Sequence, residues 1–296
     1  MELRVLKYFL MAAREENITR AAQLLHLTQP TLSRQLMQLE DELGVTLFQR
    51  SNHRIVLTQD GMLLRRRAQE IVDLAEKTAR DFARPDAALS GEIAIGAGET
   101  SSMAALANLV ARFRAEHPRV RYRMTSGSAD HIKECIERGT LDVGLLVEPV
   151  DIARYSFVRL PQTEEWGVLT RADSPIARQG FARPEDLVQR PLMISGREIV
   201  QSELSSWFGD LFERAEILMT YNLLYNVAML VREGVGDALC IRLDCEYDGL
   251  RFVPLEPAQR MGSVLVWKKN QVASPAVSAF TAQLKKYIEG ISRDEI

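Results

Sequence analysis

Apolar residues near the start of the chain recur at helical spacing in three short segments. The first predicted helix covers residues 1–16 and carries Leu6, Phe9, Leu10 and Ala13 on one stripe. A second helix begins at about Ile18, behind the capping residue Asn17. A third begins near Thr28 or Gln29, with a proline in the first turn, where a helix accepts one. Because only a few residues separate the last two, the pattern predicts a helix-turn-helix.

The third predicted helix has an apolar face and a polar face. Leucines at 32, 36, 39 and 43 share one face, and the opposite face carries Pro30, Thr31, Arg34, Met37 and Gln38. Thr, Gln and Arg are side chains that contact phosphates and base edges in the major groove of DNA. The polar face therefore indicates a DNA-reading helix. The alternative is an ordinary amphipathic helix pair, which is much commoner among proteins.

A hairpin and a long helix follow. Gly44 ends the third helix, and the β-prone segments 45–48 and 55–57 enclose a polar turn, which predicts a wing. Its basic residues Arg50, His53 and Arg54 could reach phosphates or a minor groove. The helix from Thr58 to about residue 82 repeats apolar residues as a heptad seam, which favours pairing with a second copy. The alternative is that the seam packs on the larger domain of its own chain. The seam consists of Leu64, Ala68, Ile71, Ala75 and Phe82, with a polar lapse at Thr78.

From residue 92 onward the period changes to alternating strands and helices. Residues 92–149 read as βαβαβ, and a second α/β section follows, so the pattern predicts a two-lobed α/β domain built on parallel strands. A ligand is expected between the lobes, outside the carboxyl ends of the strands. The predicted boundaries are 1–58 for the winged helix-turn-helix, 59–90 for the linker helix and hinge, and 91–296 for the α/β domain. Lobe I comprises 91–161 and 263–296, and lobe II comprises 162–262.

Composition narrows the class of protein. Of the 296 residues, 46% are hydrophobic and the net charge is −3, but the first 67 carry ten Lys and Arg against seven Asp and Glu. No uncharged run reaches the ~20 residues of a membrane span, and the first residues lack a signal-peptide core. We therefore expect a cytoplasmic protein with no membrane partner. No catalytic set, metal-ligand spacing or phosphate loop is evident, so neither an enzyme, a metal nor a cofactor is expected.

The three cysteines are an odd number, which suits a reducing compartment. Cys240 and Cys245 could be a redox pair, but in one strand they would be ~17 Å apart, beyond the ~7 Å limit between α-carbons of a disulfide. Buried structural thiols are the favoured interpretation.

The whole chain resembles the LysR-type transcriptional regulators. The resemblance rests on TRAAQLLHLTQPTLSRQLMQLEDELGVTLFQR, on LTQDG with the long helix, and on the two-lobed α/β half. It implies a winged helix-turn-helix, a linker helix that forms an antiparallel dimer, and an effector domain like the type 2 periplasmic binding proteins. It also implies a homotetramer that binds double-stranded promoter DNA and changes its bending when a small-molecule effector enters the cleft. RNA polymerase is a further candidate partner.

The resemblance assigns roles to individual positions, although His53 stands where many members have a basic residue. The implied DNA contacts are Thr28, Gln29, Pro30, Thr31, Ser33, Arg34, Gln38, Arg50, His53 and Arg54. The implied effector contacts are Glu99, Thr100, Ser101, Ser102, Thr125, Ser126, Gly127, Ser128, Ile194, Ser195, Gly196, Gly234 and Gly236.

Hydroxyls and free N–H groups at helix amino termini suit a carboxylate or another anion. Glu99 departs from that chemistry and could favour an amine or a hydroxyl instead. Asp237 and Arg242 stand where the family has an apolar strand, so that wall of the cleft is expected to differ. For Thr100 and Ser128 the alternative role is helix capping, which is compatible with binding. The rival function is a solute-binding or enzymatic α/β protein whose helical amino terminus serves only to oligomerise it.

Overall fold

The computed structural model describes residues 1–50, 55–82, 89–269 and 273–294. The chain divides into two compact units, Met1–Ala83 and Arg84–Ile296. The long helix therefore belongs to the amino-terminal unit. Among the described residues, no helix is both long and apolar enough to cross a bilayer.

The amino-terminal unit contains α1 (Leu3–Glu15), α2 (Ile18–Leu24), α3 (Gln29–Leu43), β1 (Phe48–Arg50), β2 (Ile55–Leu57) and α4 (Gln59–Phe82). Local chemistry explains these boundaries. The Asn17 side chain accepts the N–H of Arg20 at 2.9 Å, and the Thr58 hydroxyl accepts the N–H of Gly61 at 3.0 Å. Gly44 takes a φ of 69°, the left-handed conformation that ends α3. The predicted helix-turn-helix and the second wing strand are confirmed, whereas the first wing strand, predicted over 45–48, lies at 48–50. The predicted wing tip, 51–54, lies outside the described residues.

The core of this unit differs from the predicted apolar face of α3 at Leu43. Leu32, Leu36 and Leu39 are buried as expected, but Leu43 at the end of α3 is 39% exposed. The last turn of α3 extends beyond the core, which leaves Leu43 exposed. A polar contact connects α3 to the start of the wing: the carboxylate of Glu40 accepts the N–H groups of Leu47 and Phe48 at 2.7 and 3.1 Å.

The predicted seam on α4 is split between two faces. Ala68 is 0% exposed and, with its neighbour Val72, belongs to the core that also contains residues of α1. Ala68 is therefore not available to a second copy, which corrects its assignment to a dimer contact. Ile71 and Leu74 are 41% and 43% exposed on the other face. The heptad pattern therefore included residues of two faces of α4: one face packs on the core of its own chain, and the other is exposed. Leu64 is partly buried against the same core, Ala75 is half-buried, and no side-chain detail is described for Phe82.

The second unit begins with β3 (Gly91–Ala97), α5 (Met103–Glu116), β4 (Val120–Ser126), α6 (Ala129–Glu137), β5 (Val143–Val147) and β6 (Tyr155–Arg171). It continues with α7 (Pro175–Gln179), α8 (Pro184–Leu187), β7 (Leu192–Ser195), α9 (Glu198–Phe208), a 3-10 turn (Gly209–Arg214), β8 (Ile217–Tyr221) and α10 (Leu224–Arg232). The last elements are β9 (Asp237–Ile241), β10 (Leu250–Pro254), β11 (Arg260–Lys268) and α11 (Pro275–Asp294).

Strands β3 to β11 form one mixed sheet in the order β4-β3-β5-β11-β6-β9-β7-β8, with β10 paired to β6. The predicted parallel pairs occur within each lobe, between β3 and its neighbours β4 and β5, and between β7 and its neighbours β8 and β9. Strands β6 and β11 are antiparallel to their neighbours. Helices cover both faces of the sheet in each lobe, and apolar clusters lie between the helices and the strands.

The long strand β6 joins the lobes. Its first part pairs with β11 in lobe I, and its part from Trp166 onward pairs with β9 and β10 in lobe II. The sequence pattern predicted only its second part, because Pro161 and the polar residues around it resemble a loop. The ladder between β6 and β11 shifts register between Gly262 and Val264, near that proline. A proline, which has no N–H to donate, is tolerated at such an irregularity.

Candidate functional site

The outer face of α3 is a polar surface. Ser33 is half-buried, and the other predicted contacts on this helix are exposed: Thr28, Gln29, Pro30, Thr31, Arg34 and Gln38. The Thr28 hydroxyl lies 2.8 Å from that of Thr31 and accepts its N–H, so the residue that caps α3 also lies on this surface. Arg34 has no ion-pair partner within the described ranges. Its guanidinium is therefore available to a partner.

The predicted wing contacts are only partly described. Arg50 ends β1, where it pairs with Ile55 of β2. His53 and Arg54 lie outside the described residues.

A cavity of about 850 Å³ lies between the two lobes of the second unit. Lobe I contributes the ends of β3 and β5 and the start of α6, and lobe II contributes the ends of β7, β8 and β9 and the start of α9. Carboxyl ends of parallel strands meet there, as expected for an open α/β sheet. Of the predicted effector contacts, those that line it are Glu99, Gly127, Ser128, Ser195 and Gly196.

A smaller depression of about 410 Å³ lies beside this cavity. The two share Gly98, Glu99 and Leu243, so Glu99 stands between them. Thr100, Ser101 and Ser126 line the smaller one, whereas Ser102, Thr125 and Ile194 line neither.

Gly234 and Gly236 were predicted to line the far wall and do not. Both precede β9, whereas the cavity is lined by Cys240 and Ile241 at the other end of that strand. Gly236 packs against Pro191, where a Cβ would meet the Pro191 carbonyl oxygen at 2.6 Å. Glycine is required at 236 because the backbone of Pro191 approaches closely, and this requirement does not involve a ligand.

Asp237 and Arg242, which were expected to alter one wall of the cleft, form contacts within lobe II instead. Asp237 is buried at the start of β9 and forms an ion pair with Arg190. Arg242 pairs with Glu165 at 3.2 Å and lies over the Phe252 ring. Neither side chain lines the cavity.

Glu164 contacts the hydroxyl cluster at the start of α5. Its side chain is 0% exposed, and its oxygens accept two N–H groups, from Ser101 and Ser102, each at 3.1 Å. They also accept the hydroxyls of Thr100, Ser101, Ser102 and Ser263. Ser101, Ser102 and Thr100 therefore serve an internal carboxylate. No local sequence pattern indicates this contact, since 62 positions separate Glu164 from Ser102.

Hydrogen bonds keep this carboxyl group ionised. Burial alone raises the pKa of Glu164, but hydrogen bonds from the hydroxyls of Ser102, Thr100 and Ser101 and the N–H of Ser102 outweigh burial and hold the pKa below its ordinary value. A buried negative charge therefore lies beside the cleft, fully surrounded by donors.

Direct polar contacts cross between the lobes. Glu99 of lobe I accepts the N–H of Leu224, the first residue of α10 in lobe II. Arg197 of lobe II lies 3.4 Å from the Asp130 carboxylate and donates to the Pro149 carbonyl oxygen at 3.3 Å. Asp130 also approaches Lys133 at 3.8 Å, so this carboxylate balances both cationic residues that line the cavity.

Several further lining residues were not predicted, among them Trp166, Arg197, Tyr221 and Cys240. The Tyr221 hydroxyl donates to the Leu239 carbonyl oxygen at 2.6 Å, and burial raises the pKa of this phenol well above its ordinary value. Burial likewise raises the pKa of the Cys240 thiol to about 12. Tyr221 and Cys240 lie at the carboxyl ends of β8 and β9, a position that could have indicated them, whereas Trp166 lies within β6.

Comparison with known proteins identifies the chain. The family model described as "Bacterial regulatory helix-turn-helix protein, lysR family" matches residues 3–62, and the model "LysR substrate binding domain" matches residues 86–289. The chain belongs to the LysR family of transcriptional regulators.

Relatives of this LysR-family chain match it over its full length. The "HTH-type transcriptional regulator IlvY" of Escherichia coli is 30% identical over 296 residues, which cover 98% of this chain and 95% of that protein. The "Hca operon transcriptional activator HcaR", also of Escherichia coli, is 27% identical over 99% of this chain and 100% of its own length. The crystal structure of full-length CbnR complexed with its target DNA has the same fold, with a TM-score of 0.74 at 22% identity over 97% of this chain and 99% of that one.

Membership of the LysR family makes the chain a DNA-binding transcriptional regulator with an effector-binding domain, in a family that is not enzymatic. The rival interpretation as an enzyme or a solute-binding protein is therefore wrong.

Proposed function

We propose that the exposed face of α3 reads promoter DNA in the major groove and that the interlobe cavity binds the small molecule that controls this regulator. In this proposal Arg34 and Gln38 contact base edges, and Thr28 and Thr31 contact phosphates at the start of the helix. The single observation that carries the DNA half is the exposed Arg34 on the polar face of a winged helix-turn-helix, with no ion-pair partner in the part of the chain that the structure describes.

The size and lining of the cavity support the effector half. A volume of about 850 Å³ is within the range of pockets that bind small molecules. Polar groups of both lobes line it, among them Ser128 and Lys133 of one lobe and Ser195 and Arg197 of the other. A ligand that touches both lobes has a different affinity for different lobe arrangements, which is the thermodynamic requirement for a response.

The proposed assembly is a homodimer through α4 that associates further into a homotetramer. Ile71 and Leu74 leave apolar surface exposed on α4, and contiguous exposed apolar surface commonly marks a protein–protein interface. A dimer presents two recognition helices to two half-sites. RNA polymerase is a proposed further partner at the promoter. The proposed location is the cytoplasm, since that is where the promoter DNA of a bacterial regulator lies.

The direct test is a fluorescence-anisotropy titration of the full chain on the DNA upstream of its own gene. The expected result is saturable, salt-sensitive binding that exceeds binding to a shuffled duplex of equal length by at least about 10³-fold. Equal affinity for both duplexes would contradict the DNA half of the proposal. Effector candidates are then screened by their effect on the wild-type melting temperature and on the DNA footprint.

A further inference from the structure

The start of α5 has the chemistry of an anion site. The N–H groups of the first turn of a helix have no acceptor within the helix, and the helix dipole adds partial positive charge there. Here three consecutive hydroxyl residues, Thr100, Ser101 and Ser102, form the turn that precedes Met103. Their carbonyl oxygens accept the N–H groups of residues 103–105, so the N–H groups of Ser101 and Ser102 are the ones that can serve an anion. In sequence, this arrangement suits a carboxylate supplied by a ligand.

In the structure, a carboxylate of the chain itself occupies the site. Glu164 accepts both N–H groups and all three of these hydroxyls, and Ser263 of β11 adds a fourth hydroxyl at 3.1 Å. One oxygen faces Ser101, and the other faces Thr100, Ser102 and Ser263. Because all of these donors already bind Glu164, none is left for a second carboxylate.

The position of Glu164 in the fold gives the contact its meaning. Glu164 lies on β6 opposite Met261, two residues before Trp166, where β6 begins to pair with β9 of lobe II. Its donors belong to lobe I. Glu164 therefore attaches β6, the strand that links the two lobes, to the start of α5. This part of lobe I was expected to bind the effector.

We propose that Glu164 is a built-in ligand of the anion site at the start of α5, and that it excludes the carboxylate of any effector from that site. A second carboxylate would compete for the same donors and lie against a buried like charge, which is strongly unfavourable. The part of the effector that faces Thr100 and Ser101 is therefore neutral or cationic. Glu99, beside the same wall, has no cationic partner among the described residues and reinforces this selection.

The statement about the effector depends on the proposed role of the cleft, whereas the occupation of the site by Glu164 does not. Glu164→Ala tests the occupation of the site and the exclusion of a second carboxylate, because the substitution removes four non-hydrogen atoms that correspond to one acetate ion. Thr100 and Ser101 line the 410 Å³ depression, which gives a small ion a route to the vacated donors.

Glu164→Ala is expected to lower the melting temperature of the full chain because the buried donors lose their acceptor. Sodium acetate should restore at least about 3 °C of that loss in a saturable way, compared with sodium chloride at equal ionic strength. Titration with ¹³C-labelled acetate should give one bound ion per chain. The wild-type protein should show neither effect.

Glu165→Ala is the matched control. This neighbouring carboxylate pairs with Arg242 outside the hydroxyl cluster, so its removal should produce no response to acetate. The proposal is overturned if Glu164→Ala melts like the wild type, or melts lower without an acetate-specific recovery. It is equally overturned if the wild type binds acetate at the same hydroxyls. A failure of DNA binding would affect only the proposed function, since these readouts contain no DNA.

If Glu164→Ala does not accumulate as folded protein, Glu164→Gln provides the test. The folded pKa of Glu164 is lowered, so its contribution is present above the ordinary pKa and is lost as the pH falls through the folded value. Glu164→Gln should therefore be less stable than wild type at neutral pH, and the difference should shrink as the pH falls below the ordinary glutamate pKa and through the lowered folded pKa. A difference that does not change with pH would overturn the proposal.

Discussion

Glu99 and Leu224 connect the two lobes directly: the carboxylate of Glu99, at the end of β3, accepts the N–H that opens α10. The first N–H groups of a helix have no acceptor within the helix, so Glu99 supplies one from the opposite lobe. The contact lies at the cavity, which Glu99 and Leu224 both line. Together with the contacts of Arg197 to Asp130 and Pro149, this hydrogen bond holds the two lobes at their present separation.

Glu99→Ala is expected to accelerate hydrogen exchange of the Leu224 amide by about tenfold or more, because a bond to a charged acceptor is worth about 1.5 to 3 kcal/mol. Hydrogen exchange with residue resolution, by NMR, measures it. Glu203→Ala, which removes an exposed carboxylate from α9, is the control and should leave this amide unchanged. Unchanged protection in Glu99→Ala would mean that the lobes are held at this distance by other contacts.

Arg34→Ala should weaken binding to the specific duplex by about 1 to 3 kcal/mol, because a guanidinium that contacts a base edge is lost. Anisotropy titrations at fixed salt measure the change. Arg119→Ala removes the same charge from an exposed position in the effector domain and should have little effect. Wild-type affinity in Arg34→Ala would refute the assignment of this residue to the groove.

Ile71→Glu should convert the assembly towards smaller species without unfolding the chain, because Ile71 is exposed on α4 and would place a charge in the proposed dimer contact. Analytical ultracentrifugation gives the mass, and circular dichroism gives the helix content. Gln69→Glu, on another face of the helix, should leave the mass unaltered.

Ala68→Glu provides the contrast. Because Ala68 is buried in the core of its own unit, a charge there should destabilise the fold of that unit by several kcal/mol. An Ala68→Glu protein that folds normally but no longer dimerises would instead support the original prediction that Ala68 lies in the dimer contact.

Cys245 should react with iodoacetamide at pH 8, whereas Cys240 should react only after unfolding. Cys245 is exposed, but burial raises the pKa of Cys240 to about 12, so only about 10⁻⁴ of its thiol is ionised at pH 8. Peptide mass spectrometry after timed labelling measures both sites. A disulfide between them after peroxide treatment would show instead that this pair is a redox sensor.

The amino-terminal unit was largely predictable because its signals are local. Asn17, Thr28 and Gly44 cap helices through bonds to neighbours a few residues away, and the leucines of α3 follow helical spacing. The order of strands and helices in the second unit also follows from local periodicity. The first part of β6 escaped prediction, since only its pairing with β11 makes that polar, proline-containing segment a strand.

Residues close together along the chain are enough to predict which helices form, which face of α3 is polar, and the family to which the chain belongs. The folded chain is needed to show which face of α4 stays exposed, which end of β9 meets the cavity, and which group occupies the start of α5. Those outcomes depend on residues that meet only after folding. Glu164 illustrates the reason: 62 positions from Ser102, it is an unremarkable acidic residue until β6 crosses between the lobes and brings it to the donors of α5.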